Sequence, residues 1–449
     1  MKLYRSERGQ TLVLIILAVV GMFGFAALAV DLGRVFAERR RAQSAADSAA
    51  FAAAMGPIRG VDWATAALEQ ASLNDYVDPN PNENLDQRID VQVYHPPISG
   101  PYSASAPNPR DDFEEYYQVI IRTQVDPVFG QFVFSGLMVQ TVESVARAQP
   151  FKAMYPGDAL VATNPNACKA VWFQGNAGTI INGGNVFSNS DRTGNPSSCD
   201  SGVQNGSGSV TINNGNVSTV GTFDAAGGVY ASGGIQQYTD HKNGPDLPIP
   251  DCFNDPNFQN RIYTKGGGSG PDVLLPGYYA GGIKITGGDV EMTSGMYCLQ
   301  GDFTMNGGTI RDIPDPVTGR RGVFIVMLDG DFDISGNVVV NINRMSAFTD
   351  YSGQDWHGML LYMTDKNPWN NTGKVRLGGT GTSTYAGTVF APGPAHSGYK
   401  CTIQGNSGSI GISSNVICNT IYVTGNATVK INYKPEQNYR QSPKIDLSQ

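Results

Sequence analysis

Residues Thr11 to Val30, TLVLIILAVVGMFGFAALAV, form a run with no charged residue. At about 1.5 Å of rise per residue, a helix of that length matches the roughly 30 Å hydrocarbon core of a bilayer. No other feature constrains the chain as strongly. Lys2, Arg5 and Arg8 precede the run, and Arg34, Arg39, Arg40 and Arg41 follow it. Basic residues on both sides leave the positive-inside rule ambiguous. The helical pattern continues through DLGRVFAERRRAQSAADSAAFAAAMG, which is Ala-rich, lacks Pro, and meets a helix stop at Gly56-Pro57. One nearly continuous helix from Thr11 to Ala54 is expected. Its inner half would lie in lipid. Its outer half would present an Ala-rich face able to pack closely on a like helix.

Two processing readings compete with a retained anchor. Ala27-Leu28-Ala29 has the form of a signal-peptide cleavage site. The apolar run is longer than a typical signal core, however, and the helical pattern passes through it unbroken. Gly9 before a long apolar helix has the form of a prepilin cleavage site, but the fifth residue after it is Leu14 rather than Glu. The anchor is the favoured reading.

Six cysteines, with no CxxC and no Cys/His cluster, argue against zinc. An even number in a Gly-rich, loop-rich chain suits an oxidising compartment. This places the short N-terminus in the cytoplasm and the bulk of the chain in an extracellular or periplasmic space. The formal net charge is −8, which argues against a nucleic-acid partner, since such a partner needs a basic stripe.

Glycine marks a change along the chain: residues 1–150 hold 9 of the 55, and the rest follow. Residues 57–150 read as a small α+β unit, with a helix over Val61–Asn74 and strands over Arg88–Tyr94, Tyr116–Val125 and Val139–Arg147. Residues 151–167 read as a linker, 168–434 as a Gly/Asn-rich β region, and 435–449 as a flexible tail. Within the β region, short apolar alternations are separated by Gly/Asn turns. Gly287-Gly288 and Gly307-Gly308 are 20 residues apart, as are Gly405-Asn406 and Gly425-Asn426. A period near 20 suits a right-handed parallel β-solenoid. A β-sandwich is the alternative, because the period falters over 230–280 and 345–375.

Bonds within one coil or between adjacent coils would pair Cys401 with Cys418, which are 17 apart. Cys168 with Cys199 and Cys252 with Cys298 would complete a sequential pattern. Six free thiols are the alternative.

Arg8-Gly9-Gln10, the apolar span, Asp31, Arg39 to Arg41, Gln43, Asp47 and the Ala run together resemble the N-terminal module of TadG-like proteins. That family accompanies tight-adherence (Flp) pilus assembly in bacteria. The segments LLPGYYAGGIKITGGDVEMTSGMYCLQGDFTMNGG and YAGTVFAPG also resemble the Gly-rich extracellular regions fused to such anchors. The resemblance implies contact with membrane lipid, and contact with other pilus-assembly or envelope proteins through the N-terminal helix.

No constellation points clearly to chemistry. Asp329, Asp331 and Asp333 would share one face of a strand and could bind calcium, although a solvated turn is the simpler reading and no cofactor is expected. GGGSG (266–270) lacks the ending of a phosphate-binding loop. His95, His241, His357 and His396 are scattered. Asp355-Trp356-His357 could line a sugar cleft, and Asn370-Asn371-Thr372 is a glycosylation sequon. Asp289/Glu291 and the Asp329 cluster are acid pairs without an evident basic partner in register. The chain therefore reads as a non-enzymatic, membrane-anchored surface protein of Flp-type pilus assembly, anchoring or adhesion. The alternatives are an envelope adhesin or stalk unrelated to pili, and a carbohydrate-active β-solenoid enzyme, with polysaccharide as a further partner class.

Overall fold

The computed structural model describes residues 10–78, 88–103, 105–106, 113–132, 136–149, 152–194, 199–244, 246–254, 260–261, 263–265, 271–441 and 444–448. Gly9 and GGGSG (266–270) lie outside them. The chain divides into two units. The first comprises residues 1–151 and 443–449, the second residues 152–442.

The first unit is built on α1 (Gln10–Arg59), a 50-residue helix about 75 Å long. It runs through Pro57 rather than stopping at Gly56-Pro57. A proline lacks a donor, so it ends a helix gently when only one turn remains to be made. Helix α2 (Trp63–Leu73) starts at Asp62, whose carboxylate accepts from the Thr65 amide at 2.9 Å. Strands β1 (Ile89–Tyr94), β2 (Tyr116–Val125) and β3 (Met138–Gln149) form an antiparallel sheet. The second half of α1 lies on that sheet and on α2. Ala42, Ala45, Ala46, Ala49, Ala50, Ala53 and Ala54 are all buried with Ala67, Val91, Val119 and Ile121. The Ala face expected to receive a like helix is therefore covered by the chain's own fold. The small side chains let helix and sheet approach closely.

The sheet has a fourth strand that the sequence did not suggest. Lys444–Ser448, expected to be a flexible tail, pairs antiparallel with β3, from Val145↔Ser448 to Gln149↔Lys444. KIDLS is too short for its pattern to stand out. Its partner is about three hundred residues away in the chain, and local sequence carries no sign of such a partner.

The second unit is mostly β, and its two large sheets are parallel at every pairing of their named strands. One sheet has ten strands and the other eighteen, and neither closes into a barrel. Uninterrupted stretches repeat at 20 residues: Tyr263↔Ile283, Ile283↔Phe303 and Cys401↔Ile421 are register partners. The glycine pairs of the sequence fall on this repeat, with Gly405 opposite Gly425. Gly425 has φ +119°, and a Cβ there would meet the Gly405 carbonyl oxygen at 2.2 Å. Glycine is required at that corner because backbone meets backbone.

The spatial order of the ten-stranded sheet shows how the chain is wound. From one end it runs Ile235–Gln237, Val217–Thr219, Asn185–Ser188 and Asp158–Ala162. It then jumps to Val416–Cys418 and continues through Thr388–Ala391, Met359–Met363, Val323–Asp329 and Gly295–Gln300 to Gly277–Tyr279. The first run of chain thus starts mid-sheet and climbs to one end. The described residues between 238 and 261 belong to a return segment, after which the strands resume at the other end. The second run then climbs back to the middle, where Ile421–Gly425 pairs with Val171–Gly175 and Thr428–Asn432 with Thr179–Asn182. This seam joins residues 250 apart in sequence. It also carries an amide ladder, in which Asn213 donates to Asn182 and Asn182 to Asn432, each at 2.9 Å.

The seam overturns one expectation. Asp158–Ala162, placed within the expected 151–167 linker, is a strand buried at all five positions. A strand covered on both faces shows no alternation, and DALVA is too short to reveal itself. The interruptions of the 20-residue period have the same origin. The middle of the ten-stranded sheet is buried on both sides: Leu160, Ile325 and Leu361 face the interior cluster, whereas Val161, Phe324 and Tyr362 face a second cluster. Leu247 and Cys252 from the return segment, and Met345 and Trp356 from the insertion after the 332–343 strand, cover that second cluster. Residues that break the repeat are those that lid the outer face.

The disulfides follow this layering. Cys401–Cys418 links the first and last strands of a single layer, with Cα atoms 6.1 Å apart. Cys168–Cys199 joins the approaches to two adjacent layers at 4.6 Å. Cys252–Cys298 pins the return segment to the outer face of the ten-stranded sheet at 6.0 Å.

One buried cation supplies a pH-dependent term. Lys400 is fully buried, and its Nζ donates to the carbonyls of Asn371 at 3.0 Å and Pro394 at 3.3 Å. Burial, only partly opposed by Asp365 and Asp331, lowers its pKa from 10.5 to about 8. Between those two values the unfolded chain holds a proton that the folded chain has released, so stability rises with pH across the window. Below about 8 the penalty for the buried charge is fully present. Melting curves of the wild type minus a Lys400→Met variant should rise by at most about 1.4 kcal/mol per pH unit from about pH 8 upward. A difference that does not change with pH would contradict this account.

Candidate functional site: the membrane helix and its junction

The first half of α1 has no protein cover. An 18-residue window of it is long and apolar enough to cross a membrane, and none of that window is buried. Phe23 is 72% exposed and Phe25 77%. Large apolar side chains left bare along most of a bilayer's depth need a non-aqueous solvent.

Cover begins at Asp31, one residue past the apolar run, and the carboxylate is buried. Its Oδ1 accepts from the amide of Val128 at 2.8 Å, and its Oδ2 from Phe129 at 3.1 Å and Gly130 at 2.6 Å. Three successive N–H groups converging on one carboxylate form an anion-binding concavity. A Cβ on Gly130 would lie 3.1 Å from Asp31 Oδ2, so glycine permits the approach. Arg34 donates to the Asp126 carbonyl at 3.2 Å, and Gln140 to the Val35 carbonyl at 2.7 Å.

The polar contacts continue one and two turns later. Glu38 accepts from the Tyr76 hydroxyl at 2.9 Å and from Thr123 at 3.3 Å. Burial first, then the hydrogen bond to Glu38 and its charge, push the Tyr76 phenol well above its ordinary range, so it remains a donor. Gln43 donates to Asp47 at 2.8 Å and to the Glu143 carbonyl at 3.1 Å. The helix leaves its bare segment through a band of side-chain hydrogen bonds to β2, β3, the loop between them and Tyr76, and this band overlaps the start of the Ala core at Ala42.

Of the residues singled out in the sequence, Asp31, Gln43 and Asp47 all fall in this band. Gln10 begins the helix. Sequence reasoning missed Glu38, although one acid directly before Arg39, Arg40 and Arg41 was a usable signal. Gln140 and the amides of 128–130 carried none, because backbone donors have no sequence signature.

The other candidates do not converge. Asp329 ends one strand, and Asp333 lies in another, in the other large sheet. The three carboxylates therefore straddle a turn instead of sharing a strand face. Asp331 accepts from the Lys374 amide at 2.7 Å, and Asp333 pairs with Arg376 at 3.4 Å. Among the described residues, no group of three or more His, Cys, Asp or Glu could hold a metal ion. The acid pairs expected to lack a basic partner have one in register: Glu291 is opposite Arg311 and forms an ion pair with it, as Asp333 does with Arg376. All four histidines engage backbone carbonyls through Nδ1, those of Tyr116, Asn189, Ser346 and Thr372. Trp356 is fully buried and donates to Asp350 at 2.8 Å, so it offers no face to a sugar.

The Asp31 band can be tested directly. In an Asp31→Ala variant, the amides of Val128 and Gly130 should lose their hydrogen-exchange protection while the sheet amides keep theirs. Equal protection in both proteins would show that the carboxylate does not hold the loop.

Comparison with known proteins bears on this same segment. No curated protein matches the chain. A competence-associated pilin, ComZ from Thermus thermophilus, aligns over 90% of this chain and 98% of its own. The two are 11% identical with a TM-score of 0.24, too low to establish a shared fold. The family model for Tad, the Flp pilus-assembly TadE/G-like proteins, matches residues 9–56, the stretch that holds the apolar run, Asp31, Gln43 and Asp47. The chain thus carries, as its N-terminal membrane helix and the junction that follows, a TadE/G-like domain of Flp pilus assembly.

Proposed function

We propose that this protein is a non-enzymatic, membrane-anchored surface component of Flp-type pilus assembly. Its N-terminus lies in the cytoplasm and everything beyond about residue 55 faces outward. The observation that carries the reading is the coincidence of the 9–56 family match with the helix that is bare over its first half and latched at Asp31. The second unit serves as a right-handed parallel β-solenoid ectodomain. The all-parallel register and the 20-residue repeat support a solenoid over a sandwich, whose sheets are antiparallel. Right-handed winding is the hand that parallel crossover connections take. Three disulfides support an oxidising, external location.

The exposed remainder of α1, including Phe36, meets other pilus-assembly or envelope proteins. A structural role fits the fate of the polar side chains, since acids pair with arginines in ladders and histidines hold loops. Deleting the gene and counting surface pili tests the reading. Loss of pili, restored by the full chain but not by one whose residues 11–30 are replaced with another protein's anchor, is the expected result. Normal piliation in the deletion strain would overturn it. Protease added to spheroplasts should also degrade the second unit. Protection equal to that of a cytoplasmic control would overturn the orientation.

A further inference from the structure

The layered unit ends abruptly on one side. Strands Val229–Ala231 and Ile235–Gln237 each pair on a single side, with Val210–Ile212 and Val217–Thr219 respectively. The outer N–H and C=O groups of these strands have no neighbouring strand among the described residues. The apolar side chains follow the same trend. Val217 is 1% exposed, whereas its register partner Ile235, one layer further out, is 48% exposed. Tyr230 is 67% exposed and Tyr238 42%. From Val229 to Asp240 every residue is exposed or half-buried.

Open ends of layered β proteins are normally covered by a polar cap, and edge strands are normally guarded by charge or proline. Neither device is present on these two strands; the charge in this layer is Asp224, on its third strand Phe223–Asp224. Residues 229–239, VYASGGIQQYT, contain no Lys, Arg, Asp, Glu or Pro. Two copies of this strip can meet without opposing like charges. The chain also shows that a seam of this kind holds. At the mid-stack junction, layers from two separate runs dock through backbone pairing, an amide ladder, hydroxyl hydrogen bonds from Tyr422 and Thr424 to Gln174, the Trp172–Tyr422 ring contact and apolar interior residues.

We propose that this open end is an interface with a second copy of the same chain. Strand Ile235–Gln237 pairs antiparallel with its own counterpart across a two-fold axis, and Ile235 and Tyr230 become buried. A two-fold contact uses the same patch on both partners and is the commonest closed assembly of like chains. In that pairing the central residue, Gln236, lies opposite Gln236 of the second copy, at a Cα separation of about 4.5–5.5 Å that a disulfide can span.

The test uses the full chain in detergent micelles. All six native cysteines are engaged in disulfides, so an introduced cysteine is the one free thiol. A Gln236→Cys protein under mild oxidation should form a disulfide-linked homodimer severalfold faster than Val317→Cys, whose position is 90% exposed on a loop and reports random collision. Adding Ile235→Lys should bring the rate down to that of the Val317→Cys control with only a small change in melting temperature, since Ile235 is 48% exposed in the outermost layer. A rate for Gln236→Cys no greater than the control overturns the proposal. So does a fast rate that Ile235→Lys leaves unchanged, because contact through the membrane helices alone would give that result. Cross-linking in intact envelopes to a different protein in place of a second copy also overturns it. None of these outcomes depends on whether deletion abolishes pili.

Discussion

Replacing Ala50 with glutamate is expected to unfold the membrane-proximal unit and leave the β-rich unit standing. Ala50 has no exposed surface and sits in the Ala stripe that packs on α2 and the antiparallel sheet. Glutamate there adds volume inside the close-packed cluster that α1 forms with α2 and the sheet, and leaves a carboxylate without a partner. Either effect costs at least about 1–3 kcal/mol, and together they consume much of a small unit's stability of about 5–15 kcal/mol. Limited proteolysis of the full chain in detergent reads the outcome. Cleavage should appear between β1 and β3, while fragments spanning 152–442 persist. Ser44→Glu, an exposed position on the same helix, is the control and should behave as wild type. If Ala50→Glu resists protease like the wild type but loses envelope partners, the Ala face serves another molecule and the packing described above is wrong.

An Ile421→Asp substitution should open the β-rich unit at its seam. Ile421 is fully buried between Val171 on one side and Cys401 on the other. Removing a large apolar side chain from such a site costs about 2–5 kcal/mol before the unpaired charge is counted. The damage should be local in a characteristic way. No backbone connection crosses the seam at this layer, so opening it requires only the parting of paired strands. The amides of Ile421, Val429 and Tyr433, which donate across the junction to Ala170, Gly178 and Asn182, should therefore lose hydrogen-exchange protection first. Amides between the contiguous layers of 283–313 should keep theirs. Loss of protection spread evenly over all layers would mean that the junction is no weaker than the rest and that the two runs fold as one cooperative block.

The anchor and the family resemblance were both legible in residues 8–56, because they rest on local chemistry. An uncharged run of bilayer length and polar residues at fixed offsets around it need no tertiary partner to be recognised. The repeat in the second unit was visible for a similar reason. Where layers stack without insertion, each corner needs glycine or asparagine, and Gly405 and Gly425 recur at the layer spacing. The same geometry places Cys401 and Cys418 at the two ends of one layer, a relation that depends only on layer length.

What local sequence could not carry were relations between distant segments. Asp31 is an ordinary acid at a membrane boundary until the loop of 128–130 turns three amides toward it. The Ala stripe was equally suited to another helix or to a sheet, since close packing asks only for small side chains, and the sheet of the same chain reached it. Asp289, Glu291 and Asp333 read as unpaired acids because Arg311 and Arg376 become their neighbours only when the strands stack in register. The last strand and the strand at 158–162 were invisible because a pairing partner hundreds of residues away leaves no mark on a five-residue segment. Sequence by itself determined the membrane helix, the β character and the layer period, all set by side-chain polarity and backbone preference along a few consecutive residues. The tertiary structure alone decided that the layers are laid down in two runs that meet in the middle, because register between strands is fixed by burial and backbone pairing across space and not by order along the chain.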